Sequence, residues 1–507
     1  MVAKRIMDLC KRLKFLWVTF LALGLMPVKA QNFAPIAVGK YAGVHAAKIN
    51  PSLTAYTPYQ WHVNIVGVWG NVNNNYVNLK LPYSAYRVAI NKVPVQYQTI
   101  NGNPRFDSSF LVEDLNRKRK FAGVGAIAYL PSFTMKYKKI QIGLLNDVVV
   151  LANVSGLDEP FAHALMKDLS NNRKAFKYFI LDKNGNYNLN RTTVSANAYV
   201  SSGINIAYNM PMMWKQEMMF GATVKKIWGL GGSYFQYDNM QVHRGNPFQL
   251  QFDKTNIRYA LYQGQGKGTG LDLGWSYAFH LADYKRNGDY LKRHKMYKYK
   301  FGLSIMDIGS VRYRDAAVTA IENATTTTWD ASNFKNDLTA SQVDVSLAPL
   351  NNIFKGVSGY TTGKQDVIIG LPTRFVASID YQYSKYVFIQ TQVMQSLRGR
   401  YTQSARYQSY AMIAPRYERE KWEVSLPVLL EYDYRSLRAG LSCRVGCFYI
   451  GSNSVFNLLY TRNMRDADIY LGFTVYRFAG TKNSRFIQMM RDQIDRLDKK
   501  KPDCEKM

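Results

Sequence analysis

The sequence has few of the residues from which metal, disulfide and catalytic sites are usually built. Only six histidines and four cysteines occur among 507 residues, and no two histidines lie two or four positions apart. Cys443 and Cys447 are four positions apart in a predicted strand, roughly 13 Å from one another, which is too far for a disulfide. The sequence therefore predicts no metal, no cofactor and no disulfide framework.

Catalytic motifs are also lacking. There is no Gly-x-Ser-x-Gly elbow. The glycine-rich stretch GQGKGTG (residues 264–270) does not have the Gly-Lys-Ser/Thr ending of a phosphate loop, so we interpret it as a hairpin turn. Ser304 and Asp307 could serve in a barrel hydrolase, but no histidine stands near them in the sequence. We therefore do not predict an enzyme.

Long apolar runs are confined to the N-terminus. Beyond it, no run reaches the length of about 18 residues that a membrane-spanning helix needs. The first thirty residues combine five early Lys and Arg residues, the apolar run FLWVTFLALGLM and a small-residue end at Ala30. This pattern predicts a secretory signal peptide over residues 1–30, cleaved near Ala30.

Acidic residues are scarce. The chain has 35 Asp and Glu against 66 Lys and Arg, a net charge of +31. Nucleic acid is the obvious partner for such a balance. The predicted export, the 37 tyrosines and the spread of basic residues along the whole chain argue against it. We expect no nucleic-acid partner and attribute the charge to attraction towards anionic lipid headgroups or polysaccharide.

What the sequence does contain is a repeated alternation with a period of two residues. In RFVASIDYQYSKYVFIQTQV (residues 374–393), apolar side chains alternate with charged and amide side chains on either side of Ser384-Lys385, as in a hairpin. About fourteen such segments occur, and many have the length of a tilted membrane strand. The predicted strands lie near residues 61–80, 120–137, 140–154, 195–210, 217–236, 249–262, 268–281, 297–314, 367–383, 385–396, 408–417, 422–433, 437–450 and 467–478.

Short turns alternate with long loops between these segments. Lys138-Lys139 forms a short connection, whereas residues 81–119, 155–194 and 315–366 form long ones. Such asymmetry is typical of outer-membrane barrels. With the fourteen strands placed as above and both chain ends in the periplasm, the 315–366 segment is expected on the periplasmic side or in the lumen.

The charged faces of the strands favour a barrel in lipid over a soluble sandwich. A closed barrel turns its apolar face to lipid and its charged face to the lumen, and it leaves no strand edge unpaired. We therefore predict an all-β fold, a transmembrane antiparallel β-barrel of about fourteen strands in the cell outer membrane, with outer-membrane lipid around it. The charged residues expected to face the lumen are Lys298, Lys300, Arg312, Arg314, Arg374, Asp380, Glu423, Glu431, Arg438 and Arg444.

A segment rich in small residues precedes the first strand. It contains Asn50-Pro51-Ser52, and proline after asparagine favours a turn that could fold the segment into the lumen. A plain connector is the alternative interpretation. The predicted organisation is a signal peptide (1–30), a hatch segment (31–58), the barrel (59–480) and a charged periplasmic tail (481–507).

The stretch INPSLTA (residues 49–55) resembles the "NPA" segment at the N-terminus of FadL-like outer-membrane transporters and their Bacteroidetes relatives. GTGLDLGWSY (268–277), GLSIMDIGSVRY (302–313) and GLPTRFVASIDYQ (370–382) resemble a Bacteroidetes outer-membrane barrel family of unknown function. The resemblance implies a barrel of about fourteen strands with an N-terminal segment that plugs the lumen. It implies no settled activity.

Two functions follow as expectations. The first is FadL-like passive transport of small hydrophobic or amphiphilic solutes. The second is a non-enzymatic accessory or structural barrel, partnered with a secretion or surface-attachment machine. The lumen distinguishes them, because transport needs an apolar pocket beside the hatch segment. The ten charged residues above suit a wet or plugged interior better than a fatty-acid tunnel.

Overall fold

The computed structural model confirms an all-β fold built on one closed antiparallel barrel of fourteen strands. It describes residues 34–84, 87, 92–99, 102–105, 108–163, 186–212, 216–238, 240–244, 249–253, 255–280, 297–324, 327–330, 358–431, 433–455 and 463–478. The predicted signal peptide and the predicted periplasmic tail lie outside these residues. Several strands are interrupted by short irregularities and are counted here as single strands, because both parts pair with the same preceding strand.

Numbered in chain order, the strands are β1 Tyr59–Asn74, β2 Lys120–Tyr129 with Ser132–Tyr137, β3 Ile140–Leu157, β4 Thr192–Pro211, β5 Gln216–Asp238, β6 Thr255–His280, β7 Tyr297–Ala324, β8 Tyr360–Gly370 with Arg374–Gln382, β9 Val387–Ser396, β10 Tyr410–Glu418, β11 Trp422–Ser425 with Val428–Glu431, β12 Ser436–Ala439 with Leu441–Val445, β13 Phe448–Ser452 and β14 Asp466–Phe478. Strand β1 closes the barrel: Trp69 is opposite Tyr470 of β14 on one side and Ile127 of β2 on the other.

The predicted strand count is right although three of the predicted strands are wrong. Residues 249–262 and 268–281 were expected to be separate strands, but residues 255–280 form the single strand β6. The glycine-rich stretch 264–270 is therefore a bulge inside β6, with Gln265 at φ 52°, and not a hairpin turn. Conversely, residues 437–450 hold the turn between β12 and β13, where Gly446 adopts φ 56°. The prediction thus has one strand too many before β7 and one too few after β11, and the total remains fourteen.

The corrected strand order moves the 315–366 segment to the opposite end of the barrel. Its central part connects β7 to β8 and so emerges at the same end as the β1–β2, β3–β4 and β5–β6 connections, which we call the long-loop end. The expectation of a periplasmic position rested on the extra strand before β7, which the structure does not contain. Tight turns such as Lys138-Lys139 lie at the other end, the short-turn end.

Parts of the long loops pair into two small sheets at the long-loop end. The four-stranded sheet contains Asn186–Leu189, Met240–Arg244, Gln249–Asp253 and Thr327–Asp330, and the three-stranded sheet contains Val77–Lys80, Leu111–Glu113 and Asn463–Met464. Each sheet joins loops that are distant in sequence. The long loops are therefore folded against one another.

Helices in the described residues are short. They include the α-helix Ala34–Ala37 and the 3-10 helices Gly43–Lys48, Pro51–Tyr56, Val95–Tyr97 and Ser108–Phe110. None of the described helices is long and apolar enough to cross a membrane.

The two faces of the barrel wall differ in polarity. Outward side chains such as Ile204, Val224 and Phe473 are apolar and 44% to 63% exposed. Inward side chains include buried tyrosines, amides and charged groups. An apolar outer surface over a polar interior is the arrangement that lipid requires of a barrel.

Candidate functional site

The hatch segment meets the barrel wall at the turn Asn50-Pro51-Ser52. Asn50 caps a 3-10 helix, and its side-chain oxygen accepts a hydrogen bond from the Ser52 amide at 3.0 Å. Pro51 takes the first helical position, where a missing N–H is tolerated. Asn50 Nδ2 donates to the carbonyls of Trp275 on β6 (3.0 Å) and Leu303 on β7 (3.1 Å). The turn is thus tied to two adjacent strands.

Glycines in the wall make room for this turn. A Cβ added to Gly221 of β5 would lie 2.4 Å from the Ser52 nitrogen. One added to Gly274 of β6 would lie 2.1 Å from Asn50 Oδ1 and 2.8 Å from Pro51 Cδ. Real side chains do not approach so closely, so the turn can sit here only because these wall positions lack a side chain.

Side chains of β7 hold the backbone of the hatch segment. Lys300 Nζ donates to the Val38 carbonyl at 2.6 Å, and Ser304 Oγ donates to the Ile49 carbonyl at 2.6 Å. The Ser304 hydroxyl, which a hydrolase could have used as a nucleophile, is therefore engaged with the hatch segment. Residues 35–56 are almost entirely buried, so they fill the lumen at the short-turn end.

Arg416 organises a buried charge cluster beside the hatch segment. Its guanidinium donates to Asp380 Oδ2 (2.9 Å), Glu418 Oε2 (2.7 Å) and Gln390 Oε1 (3.0 Å). Lys300 Nζ lies 3.5 Å from Asp380 Oδ2. The Arg416 and Asp380 side chains have no solvent exposure. This part of the lumen is dry and held by paired charges, which is costly to form and costly to break.

Further inward charges are paired in the same way. Arg444 Nε lies 3.3 Å from Glu423 Oε2. Arg438 contacts Glu431 at 3.3 Å and Asp466 at 2.7 Å. All five side chains are at most 5% exposed. The charged lumen is therefore an ion-paired interior and not a solvated channel wall.

A narrow cavity of about 80 Å³ lies between the hatch segment and the long-loop end. Lys225 joins two of its carboxylates, lying 2.7 Å from Asp272 and 2.6 Å from Asp307. The charged lining residues are Lys48, Asp147, Lys225, Asp272, Asp307 and Arg374, and the apolar ones include Ile127, Leu145, Val149, Met306, Val376 and Met394. The cavity is thus amphiphilic, with charged and apolar walls in one space.

Residues 404–410, here called the constriction segment, fold into the lumen above this cavity and are buried. The Tyr407 ring lies under the Arg374 guanidinium, 4.5 Å from ring centroid to Cζ, and burial raises the pKa of Tyr407 to about 12. Arg406 donates to Asp433 at 2.8 Å. Burial alone would raise the pKa of Asp433, but the hydrogen bonds and charge of Arg406 hold it below its usual value.

On the far side of the constriction segment is a wider space of about 850 Å³, here called the vestibule. Arg406 and Gln408 of the constriction segment line it, whereas Tyr407 and Tyr410 line the narrow cavity. The other lining residues come from strand ends and loops at the long-loop end, so the vestibule is the mouth of the barrel. From this mouth inward, the lumen contains the vestibule, the constriction segment, the narrow cavity and the hatch segment.

Most of the residues expected to face the lumen have inward side chains. This group comprises Lys300, Arg374, Asp380, Glu423, Glu431, Arg438 and Arg444. Arg374 donates to Asp307 and to the Lys48 carbonyl, which places it at the boundary between the hatch segment and the cavity.

Three of the expected luminal residues instead lie on the outer side. Arg312 and Arg314 are exposed, while the alternating neighbours Val311 and Tyr313 are buried. A bulge at Asp307, where φ is 56°, puts two consecutive residues inward and reverses the alternation beyond it. Lys298 lies outside for a similar reason: the pairing shifts between Phe279 and His280, and Lys298 Nζ rests 4.6 Å from the outward Tyr381 ring.

Several interior residues were not identified from the sequence. Asp272 could have been identified as inward-facing, because it is a lone acid between Leu271 and Leu273 in a strand with alternating polarity. Arg416 follows a proline in a short strand, and no local pattern marks Arg406 as inward. Among the residues that the structure describes, no group of His, Cys, Asp and Glu side chains could hold a metal ion.

The chain matches the model of a family of unknown function, DUF5723, over residues 251–453. This region includes the stretches 268–277, 302–313 and 370–382, so the predicted resemblance to a family of unknown function is confirmed there. No curated protein matches the sequence.

Solved structures similar to this chain include two toluene transporters and a FadL homologue. The toluene transporter TbuX of Ralstonia pickettii is 12% identical, with a TM-score of 0.37 over 87% of this chain and 95% of its own. The P. putida toluene transporter TodX is 9% identical, with a TM-score of 0.40 and the same coverage. A Pseudomonas aeruginosa FadL homologue is 9% identical, with a TM-score of 0.39 over 89% of this chain and 98% of its own. Similarity this low says nothing about what the present chain carries.

Proposed function

We propose that this protein is a gated passive transporter that moves small amphiphilic solutes across an outer membrane. The observation that carries the proposal is the narrow cavity, which has charged and apolar walls and lies directly between the constriction segment and the hatch segment. Such a space offers partners to both ends of an amphiphile. At about 80 Å³ the cavity is smaller than a typical solute, so passage requires the hatch segment or the constriction segment to move.

The location supports the same function. A closed barrel with an apolar outer surface satisfies every strand edge and is suited to lipid. The ion-paired interior argues against a permanently open pore and against a long apolar tunnel. A solute that carries both a polar and an apolar part is the class that this lumen fits best.

Blocking the cavity tests the proposal. Val149 lines the cavity, while its neighbour Val150 points outward and is 42% exposed. Proteoliposomes containing the wild type should swell faster in isosmotic phenylalanine, an amphiphilic zwitterion, than liposomes without protein. Val149→Trp should slow this swelling, and Val150→Trp should leave it unchanged. Swelling no faster than in protein-free liposomes would contradict transport of this solute class.

The alternative, an accessory or structural barrel of a secretion or surface-attachment machine, is favoured by one observation. The long loops pair into two small sheets and present a folded surface at the long-loop end. If the protein is an accessory barrel, replacing exposed residues of these loops should disrupt a partner complex that is recovered by crosslinking. The cavity variant Val149→Trp should leave the recovery of that complex unchanged.

A further inference from the structure

The vestibule is lined by an unusual set of side chains. Its charged lining residues are Arg117, Lys118, Arg119, Lys120, Arg400, Arg406, Arg435, Arg465 and a single acid, Asp433. They come from the start of β2, the β9–β10 connection, the β11–β12 turn and the start of β14. Basic groups that are far apart in sequence thus converge on one space of about 850 Å³.

Five of these eight cations lie within ion-pair distance of a carboxylate, namely Arg119, Lys120, Arg400, Arg406 and Arg465. Lys120 lies 2.7 Å from Glu159, Arg465 lies 2.6 Å from Asp114, and Arg406 lies 2.8 Å from Asp433. These pairs fix the positions of the ammonium and guanidinium groups around the vestibule. The Lys120 and Arg406 side chains are nearly buried, at 1% and 8% exposure, so they form part of the fixed wall of the vestibule.

The Arg119 guanidinium is held in the vestibule wall by several contacts. It donates to the Tyr401 hydroxyl at 2.8 Å and to the Gly156 carbonyl at 2.6 Å, and its Cζ lies 5.4 Å from the Tyr401 ring centroid. It also lies 3.7 Å from Asp158. A guanidinium held by the wall at several atoms loses little freedom when a ligand binds.

The vestibule nevertheless keeps an excess of positive charge. Its eight cations have four carboxylates within ion-pair distance, those of Asp114, Asp158, Glu159 and Asp433. Arg117, Lys118 and Arg435 are exposed, and none of them forms an ion pair with an acid in the part of the chain that the structure describes. A concave surface lined by charge of one sign concentrates ions of the opposite sign.

We propose that the vestibule is an anion-binding entry site, which selects solutes bearing a carboxylate, sulfonate or phosphate group. The substrate class of the transporter proposed above would then be amphiphilic anions, and this inference rests on that function. The exposed Arg117, Lys118 and Arg435 attract the anionic group, and the fixed Arg119 and Arg406 receive it next to the constriction segment.

Binding of pyranine, a rigid aromatic trisulfonate, tests the site directly. Fluorescence anisotropy of pyranine with the full barrel in a zwitterionic detergent should show saturable binding that weakens as salt rises. The triple variant Arg117→Gln, Lys118→Gln, Arg435→Gln should bind pyranine about tenfold more weakly. A matched control, Lys139→Gln, Lys385→Gln, Lys421→Gln, removes the same charge from exposed positions at the short-turn end and should bind as the wild type does.

Equal weakening in the two triple variants would overturn the proposal, because the binding would then reflect only the overall charge. Absence of saturable binding to the wild type would overturn it as well. The swelling of proteoliposomes in phenylalanine separates this site from the transport function. Pyranine binding without swelling would refute transport and leave the anion site in place, whereas swelling without pyranine binding would refute the anion site alone.

Discussion

Single residues in this lumen show that an inward charge is not the same as a solvated charge. Arg416 is fully buried and donates to four side chains, among them Asp380 and Glu418. Burying an ion costs several kcal/mol, so each member of such a cluster depends on the others. The sign of the charge at one position is therefore fixed by its neighbours across the barrel.

Replacing Arg416 by alanine should destabilise the barrel strongly. Asp380 and Glu418 would each lose a buried partner, at a cost of about 3–5 kcal/mol in the free energy of unfolding. Urea unfolding in lipid vesicles, followed by tryptophan fluorescence, measures this difference. Arg314→Ala, at an exposed outward position, should change the free energy by no more than about 0.5 kcal/mol. Similar losses in the two variants would show that the cluster contributes no special stability.

His45 gives the hatch segment a dependence on pH. Burial, together with the neighbouring His62 and Lys48, lowers the pKa of His45 well below its usual value of 6.5. The folded protein thus keeps His45 neutral, while the unfolded chain takes up a proton below pH 6.5. Stability is unaffected above that pH and is lost as the pH falls below it.

The pH effect can be assigned by substitution. Between pH 6 and pH 5 the wild type should lose about 1.4 kcal/mol per pH unit more than His45→Gln does. The comparison of slopes removes the contributions of other groups, including His62. Parallel stability curves for the two proteins would contradict a neutral, buried His45.

At the scale of elements, alternation with period two predicts a strand's faces only until the first bulge. It runs through β11 and β12 without reversal, and Glu423, Glu431, Arg438 and Arg444 are buried on the inward face there. It failed beyond Asp307, because a bulge depends on how the strand pairs with its neighbours. The constriction segment was also beyond prediction, because its burial depends on the closed barrel around it.

The hatch segment depends on glycines that the sequence alone does not single out. Gly274→Ala would push a Cβ into Asn50 and Pro51 and should displace the turn from the wall. Since the turn helps to plug the lumen, the variant should conduct ions in planar bilayers where the wild type is silent or nearly so. Gly70→Ala is the matched control, because a Cβ at that strand position meets nothing within 4 Å. Equal currents from both variants would show that the close fit of the Asn50-Pro51-Ser52 turn against Gly274 does not hold the hatch segment in place.

The whole molecule is asymmetric along the barrel axis. Long connections and both small sheets are at one end, and tight turns are at the other, where the chain enters β1 and leaves β14. Outer-membrane barrels carry their long loops outside the cell. This predicts an orientation that can be measured in intact cells.

Cysteines near the two ends should differ in their accessibility. In a chain whose own cysteines are replaced by serine, Lys364→Cys near the long-loop end should react with a membrane-impermeant maleimide in intact cells. Lys139→Cys, in a tight turn at the short-turn end, should react only after the outer membrane is permeabilised. Labelling of Lys139→Cys alone in intact cells would mean the opposite orientation.

The four-stranded sheet at the long-loop end has a consequence for the order of assembly. Its strands come from the connections β3–β4, β5–β6 and β7–β8, so no single hairpin can form it. These connections come together only when six consecutive strands of the wall already lie side by side, because long-range pairing must follow the closure of the intervening chain. Its amides should therefore acquire protection from hydrogen exchange after those of these six strands.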